Sequence, residues 1–195
     1  MQLISNPAVF EEAFRPEQLE GRAEQVQVLL DCLSPAIAGR KPFHAWVHGP
    51  PGSRKTAVVR FVLGHLEQQG VSAVLVNALQ RRSFYAVVDQ VLDDRHVLSG
   101  DEKYTSWKLE LLARHAREPL LIAVDEVDQI PLGERNALLY NLAALDRIGL
   151  VLLSQSRQAA EDLSRTTIVS PLDGKVVQLN AREGAVVVPG TMNHP

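Results

Sequence analysis

The chain has 195 residues, 46% of them hydrophobic and 22% charged, with a formal net charge of −3. That length and balance fit one water-facing globular domain with a sizeable core, and exclude the strongly basic footprint of a dedicated nucleic-acid binder. Cys32 is the only cysteine, which excludes an intramolecular disulfide framework and a cysteine-based zinc site, and no apolar run reaches the length of a membrane span. The N-terminus lacks a charged segment followed by a long apolar core, so the expected location is cytoplasmic.

Residues 1–20 mix polar positions with Phe10, Phe14 and Leu19, and Pro7 and Pro16 interrupt any long helix there. Val26, Leu29, Leu30, Leu33 and Ile37 then recur at helical spacing, with Pro35 near the helix end and Cys32 read as a core filler. Phe43 to His48 is an apolar run that reads as a buried strand. It leads into Gly49-Pro50-Pro51-Gly52-Ser53-Arg54-Lys55-Thr56 and then into an amphipathic run carrying Val58, Val59, Val62, Leu63 and Leu66 that Gly70 should stop. Strand, glycine-bearing loop and helix opening on Lys-Thr is the context of a phosphate-binding P-loop. Successive main-chain N–H groups converge there, and the helix N-terminus adds its own N–H groups and positive dipole end. Lys55 is placed to reach the β- and γ-phosphates, and Thr56 to offer its hydroxyl to Mg²⁺.

Arg54 stands where the motif has glycine. Glycine is used there because it accepts a positive φ, so the arginine either takes strain of roughly 1–3 kcal/mol or gives the loop another shape.

Ser72 to Asn77 and Leu120 to Val124 are short continuous apolar runs, the pattern of strands buried on both faces. Between them, Phe84, Val87, Val88, Val91 and Leu92 mark one helix, and Trp107, Leu111, Leu112 and His115 a second over about 104–117. The strand from Leu120 runs into Asp125-Glu126, the Walker-B arrangement, about 70 residues after the P-loop lysine. Asp125 is the candidate for orienting Mg²⁺ and Glu126 for polarising the attacking water, while Asp128 reads as a solvated or capping acid. A helix over 134–146 precedes a further buried strand, Gly149 to Leu153, which ends in Ser154-Gln155. Gln155, at that strand's tip, is the candidate to hydrogen-bond a γ-phosphate or its water. Strands alternating with helices predict an α/β fold with a parallel sheet, helices on both faces, and ligand at the carboxyl ends of the strands.

From Ser170 the pattern changes: two short β-like runs, 176–179 and 185–188, suggest a hairpin or tail over 170–195 following a nucleotide-binding core over 1–169. A short helix is expected over 158–164. The six histidines are dispersed without metal-ligand spacing, and Arg81-Arg82 reads as a solvated loop pair.

Leu19-Glu-Gly-Arg22-Ala-Glu24, the P-loop, Leu121 to Asp128 and Leu153 to Gln155 together resemble the AAA+ ATPases, and among them the origin-recognition and replication-initiator clade. The resemblance covers roughly residues 16–165. It implies a P-loop NTPase core that binds ATP with Mg²⁺, hydrolyses it slowly to ADP and phosphate, and acts as a switch through protein partners or self-assembly on DNA-linked work. By position it implies that Lys55, Glu126 and Gln155 are catalytic, that Gly49, Pro50, Pro51, Gly52, Ser53, Arg54, Lys55, Thr56 and Arg22 contact nucleotide, and that Thr56 and Asp125 hold the metal. Arg22 would flank the adenine, and Arg165 sits where a finger to a neighbouring subunit could act, although a solvated arginine fits it better. No α-helical lid and no winged-helix pattern is visible after the core, so DNA contact would come mainly through other domains or partners. A nucleotide-free interaction module and a helper ATPase of transposition or plasmid maintenance remain the alternative readings.

Overall fold

The computed structural model describes residues 21–95, 105–115, 118–155 and 174–178. Five strands form one sheet: β1 (His44–His48), β2 (Ser72–Asn77), β3 (Leu120–Asp125), β4 (Ile148–Ser154) and β5 (Gly174–Gln178), in the spatial order β2-β3-β4-β1-β5. All four strand pairs are parallel. The helices are α1 (Ala23–Leu33), α2 (Lys55–Glu67), α3 (Phe84–Asp94), α4 (Thr105–His115) and α5 (Leu132–Ala143).

The two faces of the sheet explain the unbroken apolar runs. Leu120, Ile122 and Val124 of β3 pack with Leu150 and Leu152 of β4 and with the buried sides of α3 and α5. Leu121 and Ala123 point the other way and join Val151, Leu153, Val47, and the inner faces of α1 and α2. Successive strand residues alternate between faces, so a strand covered on both sides must be apolar at every position. β3 and β4 are buried along their whole lengths. Burial at about 25 cal/mol per Å² of apolar area makes this sandwich the main stabilising term.

Several expected boundaries moved by a residue or two. The helix expected over 134–146 begins at Leu132 and ends at Ala143; Pro131 fits the position before a helix, where no N–H is required. Ile37 is not on the buried face of α1. Pro35 ends the regular helix, residues Ser34–Ala38 continue as a 3₁₀ turn, and Ile37 is 44% exposed. Gly70 does stop the chain after α2, at φ +86°. The segment read as a separate tail contributes an edge strand to the core sheet: β5 runs parallel to β1, from His44 opposite Gly174 to His48 opposite Gln178. The second run, 185–188, the helix over 158–164, Arg165, Phe10, Phe14 and Leu19 lie outside the described residues.

At the amino end of the sheet, Gly149 is fixed by a close approach. A Cβ built there lies 2.5 Å from Cγ of Pro42 and 2.8 Å from Cδ2 of Leu121. A proline ring and a fully buried leucine have little room to yield. Gly149→Ala is therefore expected to cost about 1–3 kcal/mol as an overpacking substitution, seen as a fall in melting temperature of about 2–4 °C per kcal/mol. An unchanged melting temperature would show that the Pro42 loop is free to move.

Candidate functional site

Three strand tips meet at the carboxyl edge of the sheet. β1 ends at His48 and runs into the loop Gly49–Arg54, β3 ends at Asp125, and β4 lies between them and ends at Ser154. Register sets their levels: His48 is opposite Ser154, and Val124 is opposite Leu152. The Gly49 N–H donates to the Ser154 carbonyl at 3.2 Å, so the loop leaves the sheet tied to β4. The Trp46 indole N–H donates to Ser154 Oγ at 2.8 Å, a second tie for which the sequence carries no signal.

The loop closes on itself. The Ser53 N–H donates to the Pro50 carbonyl at 3.2 Å. Lys55 opens α2 and is buried; its ammonium donates to the carbonyls of Gly49 at 2.8 Å and Pro50 at 3.3 Å. Arg54 takes the left-handed conformation, φ +64° and ψ +28°, immediately before α2. Of the two outcomes open to an arginine there, the chain keeps the loop and accepts the strain, at roughly 1–2 kcal/mol relative to a residue in its preferred region. The Arg54 side chain is exposed. Arg22, expected beside the adenine, reaches the same loop, donating from Nη2 to the Ser53 carbonyl at 3.2 Å. Pro51 and Gly52 are exposed on the outside of the turn.

Across the crevice the acids are ordered by different partners. The Thr56 hydroxyl donates to Asp125 Oδ2 at 2.6 Å, joining residues 69 apart. The Glu126 N–H donates to Asp125 Oδ1 at 2.9 Å. Burial pushes the Asp125 carboxyl above its ordinary value of 3.8; the Thr56 and Glu126 hydrogen bonds and the Lys55 charge oppose that shift, and the Glu126 charge adds to it. Glu126 is the second non-glycine residue in the left-handed region, φ +54°. That turn swings the chain over β4. Gln155 then donates its side-chain amide to Glu126 Oε2 at 2.7 Å and its main-chain N–H to Asp128 Oδ2 at 2.6 Å. Asp128, read from sequence as a solvated or capping acid, does cap a strand tip, but the strand is β4 and the residue it holds is Gln155.

The donor set fits a phosphate group and a hard cation. Ser53 Oγ is buried inside the loop with no hydrogen-bond partner among the described residues. The first N–H groups of α2 have no acceptors within the helix and face the same crevice. A hydroxyl and a carboxylate, Thr56 and Asp125, are oxygen ligands suited to Mg²⁺. Among the described residues no group of three or more His, Cys, Asp or Glu side chains converges, so a cation here would complete its shell with phosphate and water oxygens. All the candidates from Gly49 to Thr56, with Arg22, Asp125, Glu126 and Gln155, fall in this one region. Among the described residues no helix is long and apolar enough to cross a membrane.

No protein-family model matches the chain. The chain is 30% identical over 183 residues to an ORC1-type DNA replication protein 6 of Halobacterium salinarum, across 93% of this chain and 48% of that one. Its fold superposes on the Aeropyrum pernix ORC1 protein in complex with DNA with a TM-score of 0.72 and 26% identity, covering 89% of this chain and 48% of that chain. It superposes on the Aeropyrum pernix ORC2 protein, solved as ADPNP-ADP complexes, with a TM-score of 0.74 and 18% identity, covering 91% and 52%. The chain thus spans about half the length of the relatives it matches.

Two outcomes follow from the strain and the buried acid. Arg54→Gly removes the left-handed penalty, and the extra freedom of the unfolded glycine offsets part of it; urea denaturation is expected to show the variant equal to or up to about 1 kcal/mol more stable than the natural chain. Arg54→Val, whose branched side chain tolerates positive φ least, should be less stable than either. For Asp125, a folded pKa above 3.8 means that the native state holds the proton more tightly than the unfolded chain. Stability is therefore highest at acid pH for this group and is lost as pH rises from the unfolded value through the folded one. Asp125→Asn, which keeps an acceptor for Thr56, should flatten that part of the stability–pH curve and raise stability at neutral pH. A parallel curve for the variant would show that Asp125 is not the titrating group.

Proposed function

Because the chain carries an AAA+ core of the origin-recognition and replication-initiator clade, we propose that it binds ATP with Mg²⁺ and works as a slowly hydrolysing nucleotide switch in the initiation of DNA replication. The observation that carries this reading is the Thr56–Asp125 hydrogen bond, which joins the P-loop helix to the Walker-B strand across a crevice rimmed by the loop's N–H groups. A strand-turn-helix that had lost its ligand would have no use for a buried acid held against the first turn of α2.

Each residue has a part. The main-chain N–H groups of Gly52, Arg54, Lys55 and Thr56 cradle the phosphates while the Ser53 N–H keeps the loop closed on Pro50, and Lys55 leaves the Gly49 and Pro50 carbonyls to place its charge on the β- and γ-phosphate oxygens. Arg54 adds a second, exposed positive charge at the mouth. Arg22 braces the loop through Ser53 and borders the base. Thr56 and Asp125 hold Mg²⁺, which when bound neutralises charge on the phosphate oxygens. Glu126 takes a proton from a water as that water attacks the γ-phosphorus; the bond to the bridging oxygen breaks, and ADP and phosphate result. Gln155 orients that water or the γ-phosphate.

Slow turnover is expected of the isolated chain. A neighbour's arginine in trans is worth about 10³–10⁵ in rate in comparable phosphoryl-transfer sites. Assembly with partners, and DNA contact made through them, would complete the site.

Calorimetric titration with Mg-ATP and Mg-ADP tests this. Saturable micromolar binding is expected. Lys55→Ala should weaken it by about 10–100-fold, the loss of charge-assisted bonds to phosphate. Glu126→Gln should bind ATP as well as the natural chain while hydrolysing it about 10²–10⁴-fold more slowly. Equal binding by Lys55→Ala would sink the site assignment, and binding gained only by Arg54→Gly would favour the nucleotide-free interaction module.

A further inference from the structure

Gln155 is held at both ends by acids. Its main-chain N–H goes to Asp128 and its side-chain amide to Glu126. The two acids belong to one short segment: Glu126, then the 3₁₀ turn Val127–Gln129 that contains Asp128. That turn is itself clamped. Arg135, on α5 and only 8% exposed, donates from Nη2 to the carbonyls of Asp128 at 3.2 Å and Ile130 at 3.0 Å. The Arg135 guanidinium therefore fixes the main chain of the turn and leaves the Asp128 carboxylate to act elsewhere.

Asp128 is an expensive choice for a strand cap. Its Oδ1 is buried and has no hydrogen-bond partner, and no cation pairs with its carboxylate, among the described residues. A buried oxygen without a partner costs about 1–3 kcal/mol, and more when charged. A serine or threonine could accept one N–H without that cost. What the carboxylate gains is a short, charge-assisted bond of fixed direction. Its target lies beyond the last β3–β4 rung, Val124 opposite Leu152. There β3 has ended at Asp125 and the chain turns at Glu126, and the Asp128 carboxylate takes the Gln155 N–H in place of the missing rung. The main chain of Gln155 is thereby pinned at the place from which its amide meets Glu126, across from Thr56 and Lys55.

The geometry points to Asp128 as a positioning residue: acting through the main chain of Gln155, it sets the Gln155 amide where it distinguishes a triphosphate from a diphosphate. This rests on the nucleotide reading above. A cap that served only to end β4 would stabilise the fold equally with either nucleotide and would be indifferent to the Gln155 side chain. A positioning residue acts on the γ-phosphate alone, and has nothing left to do once that side chain is gone.

The test is calorimetric, so that it does not depend on turnover. Affinities for Mg-ADP and for a non-hydrolysable Mg-ATP analogue are measured for the natural chain, Asp128→Ala, Asp128→Asn, Gln155→Ala and the Asp128→Ala/Gln155→Ala pair, beside their melting temperatures. The natural chain should favour the triphosphate. Gln155→Ala should cut that preference about tenfold, the loss of one hydrogen bond to a charged group, with ADP affinity unchanged. Asp128→Ala should do the same, and the double variant no more than either. Asp128→Asn, whose side-chain carbonyl oxygen can accept the N–H in place of the carboxylate, should retain most of the preference. Should Asp128→Ala not fold, Asp128→Leu, close in size but with no acceptor for the Gln155 N–H, carries the same expectation. A preference unchanged in Asp128→Ala, or reductions that multiply in the double variant, or no preference in the natural chain, would each overturn the assignment. Failure of the natural chain to bind either nucleotide would instead overturn the P-loop reading beneath it.

Discussion

The placement of β4 between β1 and β3 is the constraint on which the rest of the site depends. The P-loop leaves β1 and the acidic pair leaves β3, yet these strands are not neighbours. The gap they span is one strand wide on each side, about 4.7–4.9 Å per step. That width lets Thr56, one residue into α2, reach Asp125 at 2.6 Å. It also brings Ser154 and Gln155 up between the two motifs, where Ser154 accepts from Gly49 and Gln155 donates to Glu126. All these residues sit at the carboxyl ends of parallel strands, the edge at which such sheets hold ligands. Had β4 been an edge strand, the same sequence motifs would have faced a shallower crevice with no polar group between them.

The second constraint is strain held by many bonds. Both described non-glycine residues with positive φ, Arg54 and Glu126, lie in this crevice. Each stands at a reversal between a strand and a helical turn. Residues in such conformations persist where their surroundings over-determine them. For Arg54 the surroundings are the Lys55 bonds to Gly49 and Pro50, the Ser53 N–H on Pro50, and the brace from Arg22. For Glu126 they are the Asp125 carboxylate on its N–H, the Gln155 amide on its side chain, and the bonds of the following 3₁₀ turn, Gln129 to Glu126 and Ile130 to Val127. Removing one bond from either set leaves others, so the two turns hold their shapes more firmly than any single contact would suggest.

Much of this was legible from the sequence, and the parts that were not share a cause. The buried strands announced themselves as unbroken apolar runs, and Gly49 to Thr56 and Asp125-Glu126 carried their own chemistry. Strand order did not, because Leu120 to Val124 and Leu150 to Leu153 are equally apolar on both faces and nothing in either run specifies its neighbour. The place of β5 beside β1 was hidden for the same reason. Asp128 was read as a bland acid because its partner lies 27 residues away on a strand whose position the sequence leaves open. Arg135 carries no signal in the sequence beyond its place in a helical run, yet it is buried and spends its Nη2 on two carbonyls. Contacts within one motif are readable from spacing; contacts between motifs need the sheet.

Arg54 shows how a departure from a motif should be weighed. Glycine serves in that position for two separable reasons: it accepts positive φ, and it leaves no side chain between the backbone and a phosphate. The first requirement is met here, since Arg54 adopts φ +64° and the helix begins at the next residue. The second is met as well, since the side chain is exposed and donates none of the bonds that close the loop. The N–H groups of the loop therefore point as they would with glycine, at a cost of roughly 1–2 kcal/mol in backbone strain. Against that cost stands a positive charge at the mouth of a crevice whose other side carries Asp125, Glu126 and Asp128. A polyanion approaching those three acids meets repulsion, and in the absence of the motif's glycine it meets an added attraction. The substitution makes more physical sense in a loop that receives a charged ligand than in one that has stopped doing so.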